Sequence, residues 1–301
     1  MAPGKTPEKT VAKADTDMLW LDGRLITKKQ ARLDPADRGL LLADGLFETL
    51  LARDGVVEHL DHHLQRLRNS ATMLGIPVPY DAVAIAGGLD ALLAATGLTR
   101  DLAAMRITLT RGVGRRGLLP PDAPEPHLMM TAVAYHRPPG DSFSARIVAI
   151  RRNEGSPLSR IKSLNYLDNV LALQEAVAGG ADEALLRNNA GQICGASRAN
   201  LFVVRGGQLI TPPIADGVLD GIKRRVILER ARAIGCPVFE ESLSPMDLLS
   251  VDEAFLSNSL MGIKPLHRID ERVLPVGPVT QVLAEAIAQP APTSLQAMPA
   301  Q

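Results

Sequence analysis

The stretch HRPPGD, residues 136–141, constrains this chain's folding more than any other feature. Two prolines and a glycine interrupt all periodicity there, because proline fixes φ and donates no N–H while glycine leaves the backbone free. It reads as a linker, taken as 136–145, between two halves of different pattern. The 301 residues are enough for two packed domains.

The first half mixes helix and strand. MLWLDGRLI reads as two short strands around Asp22-Gly23, and Asp54-Gly55 separates LFETLLAR from VVEHL. Residues 62–75 carry Leu64, Leu67 and Leu74 at helical spacing, and a second helix is expected over 81–96. MRITLTR alternates, with Met105, Ile107 and Leu109 apolar and Arg106, Thr108 and Arg111 polar, as in a half-buried strand. HLMMTAVAY, 127–135, reads as a more fully buried strand. The second half predicts strands at ARIVAIRR, EALLRN, NLFVV, QLI, PVFEES and EAFLSN. Helices are expected at 166–178 and along DGIKRRVILERARAIG, the latter ended by Gly235. The predicted fold is α/β (α+β): a small α+β domain over 18–135 and a larger, sheet-rich domain over 146–288. Residues 1–17 read as a disordered tail or a cloning scar, and 289–301 as a frayed end.

Lys plus Arg equals Asp plus Glu at 33 each, so no overall field points to nucleic acid or to a basic partner. Two cysteines, Cys194 and Cys236, make no disulfide framework, which suggests a reducing, cytoplasmic setting. No apolar run approaches the ~20 residues of a membrane span.

Several motifs could carry chemistry. Lys162 lies in SPLSRIKSLNYLDNVLALQEA, a polar turn one step before an amphipathic helix. Its backbone is held there while its amine stays free to reach a cleft, as a lysine bonded to an aldehyde cofactor requires; a solvated surface lysine would look the same. GVGRRG, 112–117, matches a dinucleotide fingerprint, but the LLPPDAPEP that follows has four prolines, which forbid the helix such a site needs. Arg115 and Arg116 in that loop suit a carboxylate or make a solvated basic turn. HLDHH places His59 and His63 four apart without the glutamate of a zinc motif, so metal binding is not expected. DGVLDGIKRR puts the N–H groups of Ile222 and Lys223 at a helix start, either a phosphate seat or an ordinary start capped by Asp220. SNSLMG offers Asn258 and Ser259 as donors, or a plain turn.

Taken in order, DRGLLLADGLFETL, HLDHHLQRL, TRGVGRRG, RIKSLNYLDNVLA, GASRANLF, TPP…DGVLDGIKRR and SNSLMGIKP resemble the class IV aminotransferases, pyridoxal-phosphate enzymes of fold type IV. The resemblance runs from about Met18 to Pro275. It implies pyridoxal 5'-phosphate as cofactor, Lys162 as the Schiff-base lysine and general base, and Arg66 on the cofactor phosphate. Ile222, Lys223 and Ser259 are implied as further phosphate contacts, although the family often has threonine at Lys223. Tyr166 falls one position from a tyrosine that touches the phenolic oxygen. Arg116 matches a substrate-carboxylate arginine that in D-amino-acid transaminases reaches across from the partner subunit, so a homodimer and a carboxylate-bearing amino substrate are implied.

The chain also departs from the family. The usual glutamate that pairs with the pyridine nitrogen falls at Gly195, and no acid stands in ICGASRAN, so water, Ser197 or another group must serve. Leu40 and Leu118 stand where D-amino-acid transaminases place a tyrosine and a histidine. GLFETL and NSLMG look more like 4-amino-4-deoxychorismate lyase. A lyase whose product is aromatic has its own driving force and tolerates a weaker electron sink. The expectation is therefore a lyase that eliminates pyruvate to give 4-aminobenzoate. The alternatives are an amino-acid transaminase (D-amino acid or branched-chain) and a non-catalytic cofactor-binding homologue.

Overall fold

A computed structural model of the chain describes residues 17–288, so apart from Asp17 the expected tails lie outside the described residues. The first half comprises β1 (Met18–Leu21), β2 (Arg24–Thr27), α1 (Arg38–Leu42), β3 (Gly45–Arg53), β4 (Val56–Val57), α2 (Leu60–Leu74), α3 (Ala82–Ala95), β5 (Leu102–Thr110) and β6 (His127–Ala134). Its six strands form one antiparallel sheet in the order β2-β1-β6-β5-β3-β4. Both Asp-Gly turns have positive φ at both residues, as a tight hairpin turn requires.

β3 and β5 pair over nine residues, from Gly45 opposite Thr110 to Arg53 opposite Leu102. Met105, Ile107 and Leu109 point into a core completed by Leu64 and Leu67 of α2 and by Ile85, Leu89 and Leu92 of α3. Arg111 shares their parity. Expected among the outward polar positions, it is buried instead. Its charge is matched by Asp44 at 2.7 Å and by the carbonyls of Leu74 and Gly75. β6 differs from expectation too: it alternates between buried and half-buried residues and is exposed at its end. The helices cover one face of the sheet, so only Leu128, Met130 and Ala132 join the core.

The second half comprises β7 (Phe143–Arg152), α4 (Leu167–Ala178), β8 (Glu183–Asn188), β9 (Ile193–Ala196), β10 (Asn200–Arg205), β11 (Gln208–Thr211), α5 (Ile222–Ala233), β12 (Val238–Glu240), β13 (Glu253–Asn258), β14 (Gly262–Ile269), β15 (Arg272–Val273) and α6 (Pro278–Ala288). Eight strands run β12-β11-β10-β13-β14-β7-β8-β9, with β15 on β14. β7, α4 and β8 form a parallel strand–helix–strand unit. β7 begins at Phe143, inside the stretch read as linker.

Sequence reading missed α1, β9, β14, β15 and α6. β9 is only four residues long and contains Gly195, whereas Pro265 breaks the pattern of β14. The two halves meet where residues 162–164 run beside β3. Phe47 N–H donates to the Lys162 carbonyl at 2.9 Å, and Leu164 N–H donates to the Gly45 carbonyl at 3.0 Å. A Cβ at Gly45 would sit 2.4 Å from the Leu109 carbonyl of β5 and 2.8 Å from Leu164 Cδ1, so glycine is required where β3 lies between the two.

Candidate active site

The cleft between the halves has a volume of about 220 Å³. Lys162 reaches into it from the segment that crosses β3. Its Nζ donates to the Tyr166 hydroxyl at 3.1 Å and lies 4.2 Å from the centre of the Phe47 ring. Phe47 and Tyr166 pack edge to face with centroids 5.0 Å apart. The amine is therefore aimed by a ring and a hydroxyl.

Arg66, from the buried side of α2, enters the same cleft. Its guanidinium grips Glu48 of β3 through two bonds of 2.8 and 2.6 Å and donates to the Asp220 carbonyl at 2.9 Å. Glu48 also accepts from His63 Nδ1 at 2.7 Å, and His63 Nε2 lies 3.3 Å from the Ser259 hydroxyl. Burial alone would raise the Glu48 pKa. The Arg66 charge and the bonds from His63 and Arg66 outweigh burial and bring it down to about 2. Burial lowers the pKa of His63 despite Glu48, which fits a neutral ring donating through Nδ1.

α5 begins beside Arg66. Gly221 is its N-cap, and no side chain caps it. Asp220, the expected cap, pairs with Arg225 instead. The first N–H groups, those of Ile222 and Lys223, thus open onto the cleft, a seat for an anion. Lys223 is only 4% exposed. Its amine turns away to Glu58 at 3.3 Å and His59 at 3.4 Å, leaving its backbone at the helix start.

Gly195 is buried with φ +116°. The β8–β9 ladder shifts there: Gly195 pairs with Leu186, Ile193 pairs with Arg187, and Cys194 is the extra residue. The Cys194 thiol bonds the Leu186 carbonyl, and burial pushes its pKa up to about 11, so it is no substitute acid. The Ser197 hydroxyl bonds the fully buried Glu183. Asn258 serves its own turn: its side-chain oxygen accepts from the Leu260 and Met261 N–H groups, and its amide nitrogen donates to the Arg198 carbonyl. Ser257 also lines the cleft, fully buried, with no partner for its hydroxyl among the described residues. Leu40 and Leu118 are 71% and 83% exposed. Arg116 is exposed beside Leu118, and none of the three lines the cleft of its own chain.

Sequence reading missed two arginines, Arg106 packed against the lining residue Phe47 and Arg152 in the lining itself. Arg106 packs its guanidinium 3.8 Å from the centre of the Phe47 ring, and only its Nε is engaged, by Thr108. Its signal was present in MRITLTR as a charged residue on a half-buried face. Arg152, at the end of β7, lines the cleft and has no carboxylate partner among the described residues. The cleft lining holds five cations (Arg66, Arg152, Lys162, Arg198, Lys223) and no Asp or Glu. Such a site suits an anionic ligand. Among the described residues, no group of three His, Cys, Asp or Glu is placed to hold a metal, and no helix is long and apolar enough to cross a membrane.

The family model described as Amino-transferase class IV matches residues 45–269. A Methanocaldococcus jannaschii protein provisionally named a branched-chain-amino-acid aminotransferase is 37% identical, covering 89% of this chain and 94% of its own. The branched-chain aminotransferase structure from Thermoproteus uzoniensis, with norvaline, superposes with a TM-score of 0.85 at 31% identity, covering 90% of this chain and 93% of that one. The 4-amino-4-deoxychorismate lyase structure from Pseudomonas aeruginosa gives 0.79 at 33% identity, covering 89% and 97%.

Proposed function

The chain belongs to the class IV aminotransferases, and from that premise we propose that it moves the amino group of a small apolar amino acid to a keto acid. The observation that carries this reading is the Lys162 amine, held by Tyr166 and Phe47 in the same cleft as Arg66 and the open start of α5. The enzymes of this family use pyridoxal phosphate. That cofactor supplies an aldehyde that condenses with amines and a ring that draws electrons from the amine-bearing carbon. The donor set fits it. Arg66 and the N–H groups of Ile222 and Lys223 would hold the phosphate, Tyr166 the phenolic oxygen, and Lys162 the aldehyde.

Lys162 would carry the proton at the amine-bearing carbon, as a general base must from hydrogen-bond reach. Arg106 has two uncommitted nitrogens next to Phe47, and we assign it the substrate carboxylate. Phe47, Leu219 and Leu260 give the cleft an apolar wall, in keeping with the branched-chain and norvaline names of the relatives. Leu40, Arg116 and Leu118 are reserved for a second copy: their exposure together suits a homodimer in which Arg116 serves the neighbouring cleft. The two free thiols agree with a cytoplasmic setting.

One observation favours the lyase: no carboxylate lines the cleft. Purified enzyme given aminodeoxychorismate, and separately a panel of D- and L-amino acids with a keto-acid acceptor, decides between the two. New amino acid supports the transaminase, whereas 4-aminobenzoate with no transfer overturns it. Borohydride reduction followed by peptide mass spectrometry should place the cofactor on Lys162, and a wild-type enzyme that traps no adduct there refutes the assignment.

A further inference from the structure

The absence of an acid at Gly195 leaves the cofactor's ring nitrogen without its usual partner, and the hydrogen bonds around Ser197 supply another. Ser197 lines the cleft and is 2% exposed. Its hydroxyl donates to Glu183 Oε1. Glu183 is fully buried, and it also accepts from the Ala184 N–H at 2.9 Å and from Arg198 Nε at 3.0 Å. A hydroxyl has one proton, and here Glu183 takes it. Ser197 Oγ therefore offers the cleft lone pairs only, made more basic by the carboxylate behind it. An oxygen in that state pairs with a donor, and a pyridine nitrogen is a donor only when protonated.

The place agrees with the chemistry. In pyridoxal phosphate the ring nitrogen is para to the aldehyde carbon, which belongs to Lys162. The phosphate flank belongs to Arg66 and α5, and the phenolic flank to Tyr166. Of the lining that remains, the turn from β9 to β10, residues 196–199, follows directly on Gly195, and Ser197 stands in it. We propose that Ser197, backed by the buried Glu183, holds the proton on the ring nitrogen, a two-residue replacement for the acid lost at Gly195. Ser197 is the contact and Glu183 its positioning residue. The electron sink that transamination needs is then retained.

This proposal rests on the cofactor reading, and its test separates the two. The enzyme is reconstituted with pyridoxal phosphate carrying ¹⁵N in the ring, and the nitrogen shift is read by NMR alongside borohydride trapping at Lys162. Wild type should show a protonated nitrogen. S197A should move the signal to that of a bare pyridine while still trapping the cofactor, and S197T, which restores the hydroxyl, should return it. E183Q should behave like S197A; because Glu183 is buried and could be needed for folding, the S197A and S197T pair decides. A bare nitrogen in trapped wild-type enzyme, or a protonated one in S197A, overturns the relay and leaves the cofactor assignment standing. Failure to trap any adduct removes both.

Discussion

At the scale of single residues, Glu48 and Lys162 show how burial becomes chemistry. Glu48 has its pKa lowered to about 2 from an ordinary 4.5 because Arg66 and His63 answer the cost of burying it. A carboxylate lowered on folding contributes stability that is present above its unfolded pKa and is lost as pH falls through the folded one. The window is therefore from about 4.5 down to about 2. His63, also lowered on folding, acts in the same direction below its ordinary 6.5. The shift of Glu48 corresponds to roughly 3 kcal/mol. E48Q should thus flatten the acid limb of a stability-versus-pH curve measured by denaturant titration; a variant as acid-sensitive as wild type would show that Glu48 is not the group responsible. K162A should lose turnover and the trapped adduct together. R106A should raise KM for the amino acid roughly 10- to 100-fold, the worth of a hydrogen bond to a charged group, with a smaller change in kcat. An unchanged KM would move the carboxylate site elsewhere.

At the scale of elements, the start of α5 makes the anion seat, and its geometry depends on a missing side chain. A Cβ at Gly221 would lie 2.1 Å from Asn200 Oδ1. Asn200 holds the Leu219 carbonyl at 2.9 Å, so G221A must push on the loop that leads into the helix. The expected cost is about 1–3 kcal/mol, as for other overpacked sites, with weaker cofactor binding in titration; wild-type values for both would mean that the loop yields freely. The helix itself was legible from DGIKRRVILERARAIG, and its openness to an anion was one of two readings left by that string. What decided between them was the turning of Asp220 toward Arg225 rather than back onto the helix, a side-chain choice that spacing does not encode. β14 was illegible for a different reason. Pro265 normally argues against an inner strand, yet β13 and β7 pair on either side of β14 and hold it in place.

At the scale of the whole molecule, the reading of HRPPGD as a linker rests on local backbone chemistry, whereas the contacts that make the cleft are long-range. Arg66 meets the Asp220 carbonyl across 154 positions, Lys223 meets Glu58 across 165, and Ser259 meets His63 across 196. No window along the chain contains both members of any such pair. These contacts are also what a ligand in the cleft would reinforce, since Arg66 and the α5 start come from different halves. Cofactor bound to the folded state alone stabilises by RT ln(1 + [L]/Kd), about 2.7 kcal/mol at a hundredfold excess over Kd. For a chain of this size that corresponds to a rise in Tm of roughly 4 °C. R66A should lose most of the rise, because the guanidinium serves the phosphate and joins the halves at once. A double comparison separates those two duties. If apo R66A melts with apo wild type while the cofactor-induced rise shrinks, Arg66 acts on the ligand. If apo R66A melts early and the cofactor still raises Tm by the wild-type amount, Arg66 acts only as a brace between the two halves, and the phosphate assignment falls.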